Sequence, residues 1–483
     1  MPSVIFRADA SPTIGGGHVM RCLTLADRLK EEGWDTSFYC SEETHATVPL
    51  LAQGAHRIVE SCENEIGETD WLVIDHYGLG VEYEKRCRPR VGKILVLDDM
   101  PTRTHDCDIL LDQNLDRNPE DYNGLVPVGA TVATGTTFAL LRPQFAHARS
   151  AAVSRPRSVA RPFRLLITMG LTDPDNATSF ILGTLAKTAP EITVGIALGS
   201  NAPHLGDVRR QAEDLPFEVT VHTDVTDMAE LLADTDLAIG AGSSSAWERC
   251  CMGVPTLMVV LAENQRRVAE ALDAEEAAIS LGSLSELTPQ SLMQIIHETL
   301  GDTEKRESLS KNSARLCDGL GAGRVSLLLD PELARDSEPV TLRVANKNDG
   351  ETLLQWQSIA ETRRYSRNPE SPSRDEHFCW FESKLADPAV LFHMIEHNAK
   401  LAGMIRLDPV EGKPRTLEVS ILTAPDKYGL GIGRAALQAV YRLLPNSTFL
   451  AEVHPENTAS QILFEGAGFA FEHNHYIRQP KAT

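Results

Sequence analysis

Three consecutive glycines followed at once by a histidine, Gly15-Gly16-Gly17-His18, constrain this chain more than any other stretch. Val4-Ile5-Phe6 just upstream reads as a short buried strand, and Val19 to Glu32 reads as a helix with Leu23, Ala26 and Leu29 on one face. Three residues without a Cβ between strand and helix can take unusual dihedrals and bring backbone N–H groups close to a ligand. Those groups lie at a helix N-terminus, where the dipole favours anions. His18, in the first turn, is delivered to whatever the loop holds. The plainer alternative is a tight strand-to-helix turn with an exposed histidine, and the choice between them rests on the rest of the chain.

At 483 residues the chain exceeds what one hydrophobic core organises, and about three domains are expected. Apolar residues make up 42%, an ordinary share for a globular protein. Thr256 to Ala262 is the kind of apolar run present, far short of the ~18 residues a membrane helix needs. The N-terminus enters a strand within four residues and then meets Arg7 and Asp9, which is not the pattern of a secretory signal. The nine cysteines (22, 40, 62, 87, 107, 250, 251, 317 and 379) are odd in number and form no C-x-x-C pair, a usage that fits the reducing cytoplasm. A formal charge of −22 argues against nucleic acid or an anionic membrane surface as partner. It also requires that an anionic substrate be drawn in by local donors.

Residues 1–147 alternate strand and helix signals, with strands expected at Val4–Phe6, Thr36–Cys40, Trp71–Ile74, Lys93–Leu97 and Ile109–Leu111. Such alternation means βαβ units and a parallel sheet, whose ligands bind beyond the carboxyl ends of the strands. The residues there are polar: Asp75-His76-Tyr77-Gly78 and Asp98-Asp99. The Ser/Arg/Pro-rich stretch His147–Pro162 reads as a linker, and the alternation restarts with strands at Arg164–Ile167, Thr193–Ala197, Glu218–Val221, Leu237–Ile239 and Thr256–Val260. Helices near 288–300 and 303–317 close this second domain, 163–325. Two such halves facing each other enclose a cleft suited to a nucleotide-bearing ligand. Pro331–Pro339 reads as a second linker, before a differently ordered domain at 340–483 with strands at Val340–Val344, Leu391–Glu396, Lys400–Leu407 and Arg415–Leu422.

In the second half, Gly240-Ala-Gly242-Ser243-Ser244-Ser-Ala-Trp-Glu248 follows a strand and opens a helix, a setting that suits a diphosphate. Glu248, one turn in, is placed to accept from a ribose diol, and Asn264-Gln265 follow the next strand at the same sheet end. An N-cap serine followed by a surface glutamate is the competing reading. Adjacent Asp98-Asp99 can hold Mg²⁺ or cap the next element, and capping is the commoner use, so no metal is expected.

The combination Phe-Arg-Ala-Asp…Ile-Gly-x-Gly-His-x-x-Arg-Cys-Leu-x-Leu-Ala at 6–26, Ile74-Asp75-His76-Tyr77-Gly78, Leu97-Asp98-Asp99, Gly-Ser-Ser-x-x-x-Glu at 242–248 and Asn264-Gln265 resembles the UDP-sugar hydrolases of pseudaminic acid biosynthesis, over roughly residues 1–325. The resemblance implies a GT-B-like pair of Rossmann-type α/β domains acting on UDP-2,4-diacetamido-2,4,6-trideoxy-β-L-altropyranose. It further implies His18 as the catalytic base, Tyr77 as an active-site tyrosine, and Gly15, Gly16, Gly17, Arg21, Asp75, His76, Gly242, Ser243, Ser244, Glu248, Asn264 and Gln265 around the substrate. The loop usually written Gly-Gly-Thr-Asp is Gly170-Leu171-Thr172-Asp173 here, and Leu171 removes backbone freedom beside the expected diphosphate. Neutral imidazole is a suitable base for water attacking an anomeric carbon, and loop amides offset charge gathering on departing UDP.

In the third domain Lys427-Tyr428-Gly429-Leu430-Gly431-Ile432-Gly433-Arg434 turns amides toward a pyrophosphate ahead of the helix Ala435–Leu444, and Asn457 opens a later helix. With Trp356…Arg363…Glu376-His377-Phe378-Cys379-Trp380-Phe381, this resembles the GNAT acetyltransferases, in the branch that acetylates a UDP-4-amino sugar. That likeness implies acetyl-CoA as co-substrate, held by residues 428–434 and Asn457. Tyr428 departs from the usual Gln or Arg, and Phe464 stands where many relatives carry a tyrosine acid. Glu418 reads either as base for the attacking amine or as a solvent-facing strand position. The expectation is a bifunctional cytoplasmic enzyme taking UDP-amino sugars and acetyl-CoA. Its rival is a GT-B glycosyltransferase with a non-catalytic acyl-CoA-binding module.

Overall fold

Continuous apolar runs set the centre of the first sheet. Leu72-Val73-Ile74 and Ile94 to Leu97 are buried on both faces, as parallel strands flanked by helices must be. In the computed structural model, which describes residues 1–11, 13–54, 56–59, 68–156, 162–187 and 191–480, the chain divides into two units, Met1–Ala322 and Gly323–Thr483.

The first unit holds two parallel sheets. One comprises β1 (Ser3–Ala8), β2 (Asp35–Tyr39), β3 (Arg57–Ile58), β4 (Thr69–Asp75), β5 (Val91–Leu97), β6 (Ile109–Asp112) and β7 (Thr131–Thr134), in the order β3-β2-β1-β4-β5-β6-β7. The other comprises β8 (Phe163–Thr168), β9 (Ile192–Leu198), β10 (Val219–Thr223), β11 (Leu237–Ala241), β12 (Thr256–Val260) and β13 (Ile279–Ser283), in the order β10-β9-β8-β11-β12-β13. Strand order reverses between β1 and β4 in one sheet and between β8 and β11 in the other. These switch points open a crevice at the carboxyl ends of the strands, and the glycine loops occupy them. The helix Gly17–Glu31 starts two residues before the expected Val19 and buries Val19, Cys22, Leu23, Ala26 and Leu29 against the first sheet.

Two segments expected to be linkers are not. His147–Ser154 belongs to the helix Pro143–Ser154, which buries Phe145, Arg149 and Ala152 at spacings of four and three. Arg149, inside the stretch expected to be a linker, donates to Cys251 O at 2.6 Å and Ala314 O at 2.5 Å, satisfying carbonyls near the ends of two helices. Residues 157–161, also assigned to that linker, lie outside the described residues, as does Cys62. Pro331–Pro339 instead contains β14 (Glu332–Leu333), a short antiparallel partner of β15 (Pro339–Val344).

The second unit continues that sheet with β16 (Leu391–His397), β17 (Lys400–Pro409), β18 (Thr416–Thr423), β19 (Thr448–Ala451), β20 (Ala470–Glu472) and β21 (His475–Arg478), in the order β14-β15-β16-β17-β18-β19-β21-β20. Every neighbour is antiparallel except β18 and β19, which pair in parallel only from Thr416–Glu418 to Thr448–Leu450. Beyond that point Val419–Thr423 and Glu452–Pro455 line the same cleft, about 2260 Å³ in volume. Among the described residues no helix is long and apolar enough to cross a membrane.

Candidate active sites

The first site grows from Asp75, the last residue of β4, whose side chain is fully buried. Its Oδ1 faces His18 Nδ1 at 2.5 Å and Arg21 Nη2 at 2.6 Å, and its Oδ2 accepts from Arg21 Nε at 2.5 Å. Burial opposes the charge, but Arg21 and His18 hold the Asp75 carboxyl below the usual carboxylate range. An ionised carboxylate only accepts, so His18 Nδ1 carries a proton, and in the neutral ring Nε2 is the atom with the lone pair. Arg21 Nη2 also lies 3.3 Å from His18 Nδ1, but the shorter Asp75 contact decides the tautomer.

Tyr77, on the loop after β4, packs edge-on against His18 with ring centroids 4.8 Å apart. Its hydroxyl lies 3.0 Å from both oxygens of Asp99, and Asn264 Nδ2 reaches it from the second lobe at 3.5 Å. Burial and then Asp99 push the phenol above its ordinary pKa, so it stays a neutral O–H donor. His76 has a fastening role here. Its Nδ1 accepts from Gly78 N–H at 2.9 Å, which leaves Nε2 as the protonated atom 3.2 Å from Asp9 Oδ2. Asp98 serves as a cap, accepting from Met100 N–H at 3.0 Å.

Gly15 takes φ +79° and donates to Ser11 O at 2.8 Å, closing the loop before the helix. A Cβ on Gly16 would stand 2.6 Å from Leu171 Cδ1 of the second lobe, and one on Gly17 would stand 3.6 Å from Ser244 Oγ. The glycine loops of the two lobes therefore face each other across the crevice. Leu171 covers Gly16, while the left-handed backbone of its turn is supplied by Gly170 at φ +91°. Gly242 packs so closely on the helix Glu263–Ala274 that a Cβ would meet Gln265 O at 3.0 Å. Ser243 Oγ lies 3.0 Å from Ser245 Oγ, and Gln265 Oε1 accepts from Leu261 N–H at 3.2 Å. Glu248 is half-buried on the helix Ser245–Cys251; burial raises its pKa, with Arg142 and Arg249 opposing.

In the second unit Gly429 (φ +83°) and Gly431 (φ +81°) shape the loop ahead of the helix Ile432–Leu443. A Cβ on Gly429 would meet open space, so that face of the loop is free to receive a ligand's oxygens. Tyr428 to Arg434, apart from Leu430, line the cleft with Asn457, Glu418 and Phe464. Asn457 Oδ1 caps the helix Thr458–Gly466 through Ser460 N–H at 3.1 Å. Glu418 is not a lone carboxylate: Arg367 Nη2 reaches its Oε1 at 2.5 Å and also pairs with Glu452. Phe464 is buried against Phe469 and Tyr476.

Sequence reasoning missed Asp99 as the Tyr77 partner, Arg367 as the Glu418 partner, and Arg335. Arg335 grips the glycine loop by donating from N–H to Leu430 O at 2.9 Å and from Nη1 to Gly429 O at 3.0 Å. Only Asp99 left a trace, as a polar residue just past a strand end. Among the described residues no group of three or more His, Cys, Asp or Glu is placed to hold a metal ion.

Residues 177–320 match the glycosyltransferase family 28 C-terminal domain, and residues 340–470 match the acetyltransferase (GNAT) domain. An uncharacterized protein from Methanocaldococcus jannaschii, MJ1062, is 21% identical over 95% of both chains. The MurG crystal structure from Acinetobacter baumannii superposes with a TM-score of 0.49 at 15% identity, over 68% of this chain and 99% of that one. The UDP-2,4-diacetamido-2,4,6-trideoxy-β-L-altropyranose hydrolase of Campylobacter jejuni is 30% identical over 275 residues, 55% of this chain and 94% of the relative. With parallel α/β lobes and that identity along nearly the whole relative, the chain belongs to the family of this UDP-sugar hydrolase.

Proposed function

We propose that the first unit hydrolyses UDP-2,4-diacetamido-2,4,6-trideoxy-β-L-altropyranose to UDP and free sugar, and that the second acetylates the 4-amino group of the precursor UDP-sugar from acetyl-CoA. Both are steps toward pseudaminic acid in the cytoplasm. The observation that carries the reading is the His18–Asp75 pair at 2.5 Å, which leaves Nε2 as an acceptor beside the glycine loop. His18 Nε2 takes a proton from water as its oxygen bonds to C1 of the sugar, while the C1–O bond to the diphosphate breaks. Asp75 and its partner Arg21 keep the imidazole oriented and stabilise the imidazolium that forms. The facing loops at Gly15–Gly17 and Gly242–Ser244 supply donors for the charge that gathers on UDP, and Glu248 accepts from the ribose.

In the second unit the 429–433 loop fits a pyrophosphate, and the cleft is large enough for acetyl-CoA and a nucleotide sugar together. Glu418 takes the proton of the attacking amine once substrate displaces Arg367 from it. A glycosyltransferase reading of the first unit has one observation in its favour, the family 28 match at 177–320. The two separate on products. Purified protein given the UDP-diacetamido sugar and no acceptor should release equimolar UDP and free sugar, and His18→Ala should abolish that release. UDP release that needs an added acceptor hydroxyl, or that survives His18→Ala at the native rate, overturns the hydrolase reading.

A further inference from the structure

Arg249 is buried to 1% exposure beneath the loop that ends β11, yet every hydrogen bond it makes goes to a neutral oxygen. Its Nη1 donates to Ser245 Oγ at 3.0 Å and Thr168 Oγ1 at 3.2 Å, its Nη2 donates to Ala241 O at 2.7 Å, and its Nε has no partner. Gly240 makes the room, since a Cβ there would stand 2.6 Å from Nη1. Burial lowers the guanidinium pKa to about 10, with Cys250 and Glu248 opposing, so it still carries its charge at neutral pH. A buried cation without a paired carboxylate is costly, and an anion arriving beside it would offset that cost.

The geometry also constrains the serine hydroxyls above the guanidinium. A guanidinium has no lone pair to offer, so Ser245 Oγ must accept from it. Ser243 Oγ lies 3.0 Å from Ser245 Oγ, and whichever of the two hydroxyls donates to the other, the remaining serine proton cannot go to the guanidinium and is left for a ligand. We propose that Arg249 is a positioning residue for the diphosphate: from below the loop it holds the Ser245–Ser243 pair so that a hydroxyl proton is left for the anion, and its charge is what the bound diphosphate neutralises. This rests on reading the loop as the diphosphate seat.

The test measures affinity for UDP and for uridine by calorimetry on the intact chain and on Arg249→Met, Arg249→Lys and Ser243→Ala. Arg249→Met should weaken UDP by roughly tenfold or more, the scale of hydrogen bonds to charged groups, while uridine changes less than about twofold. Arg249→Lys, which restores a charge but not the fork, should recover part of the loss. Ser243→Ala sits at the rim and should show the same UDP-selective loss, which covers the case in which the buried substitution prevents folding. Equal weakening of UDP and uridine, or an unchanged ratio in Arg249→Met or, if that does not fold, in Ser243→Ala, overturns the proposal. A native chain that binds UDP no better than uridine overturns instead the diphosphate reading of the loop.

Discussion

Two histidines in the first lobe are set to opposite tasks by the number of carboxylates they meet. His18 meets one, through Nδ1, and in the proposed reaction its Nε2 takes the proton of water. His105 meets two: its Nδ1 lies 2.7 Å from Glu84 Oε1 and its Nε2 lies 2.7 Å from Asp98 Oδ2, all three side chains fully buried. Both ring nitrogens must donate there. Burial alone would lower its pKa, but Asp98 and Glu84 raise it to about 9. The folded value lies above the unfolded one near 6.5, so the stabilisation is fully present below about pH 6.5 and is lost as pH rises through about 9. The size is on the order of 3 kcal/mol. Asp98 also holds Arg103, whose Nη1 donates to Tyr77 O at 2.5 Å, so the imidazolium anchors the loop that carries the tyrosine. His105→Gln should therefore be less stable than the native chain at pH 6 and close to it at pH 9.5. Urea denaturation followed at both pH values checks this, and a stability difference that does not shrink with pH would refute the charge assignment.

At the scale of elements, the hairpin β14–β15 supports the glycine loop of the second unit. Arg335, in its turn, makes two hydrogen bonds to loop carbonyls, and its Cγ fills the space under Gly431, where a Cβ would stand 2.9 Å away. With the carbonyls of Leu430 and Gly429 held back, the loop amides are free to face the other way, toward an incoming pyrophosphate. Arg335→Ala should raise the KM for acetyl-CoA by roughly three- to tenfold, the loss of the one side-chain hydrogen bond and of the packing under Gly431, with little change in kcat; initial-rate measurements against acetyl-CoA decide it. This element was hidden in the sequence because a short, charged, proline-flanked stretch looks the same whether or not it pairs. The helix Pro143–Ser154 was hidden for a similar reason: Arg149 is polar in composition but buried by partners more than a hundred residues away. What was legible is what local chemistry dictates: the apolar runs of β4, β5 and β12, the glycine loops, and the polar residues just past each strand. Arg249 and Arg367 were not legible, and Asp99 was legible as a position but not as the partner of Tyr77, because these roles come from which distant group lies opposite each side chain.

At the scale of the whole molecule, each proposed reaction has its residues within one unit. His18, Asp75, Tyr77 and Glu248 lie before Ala322, and Glu418, Arg367 and the 428–434 loop lie after it. On the proposed reading each unit carries its own machinery. The two activities of the intact chain should therefore be separable by point substitution. His18→Ala should abolish UDP release and leave the rate of acetyl transfer within about twofold of native, and Glu418→Gln should lower acetyl transfer by roughly a hundredfold, the usual worth of a positioned base, and leave UDP release within about twofold. Both rates are read on the same purified preparation, one by UDP formation and the other by release of the CoA thiol. If either substitution lowers both rates together, the reactions share a residue or a conformational step, and the division of labour between the units is wrong.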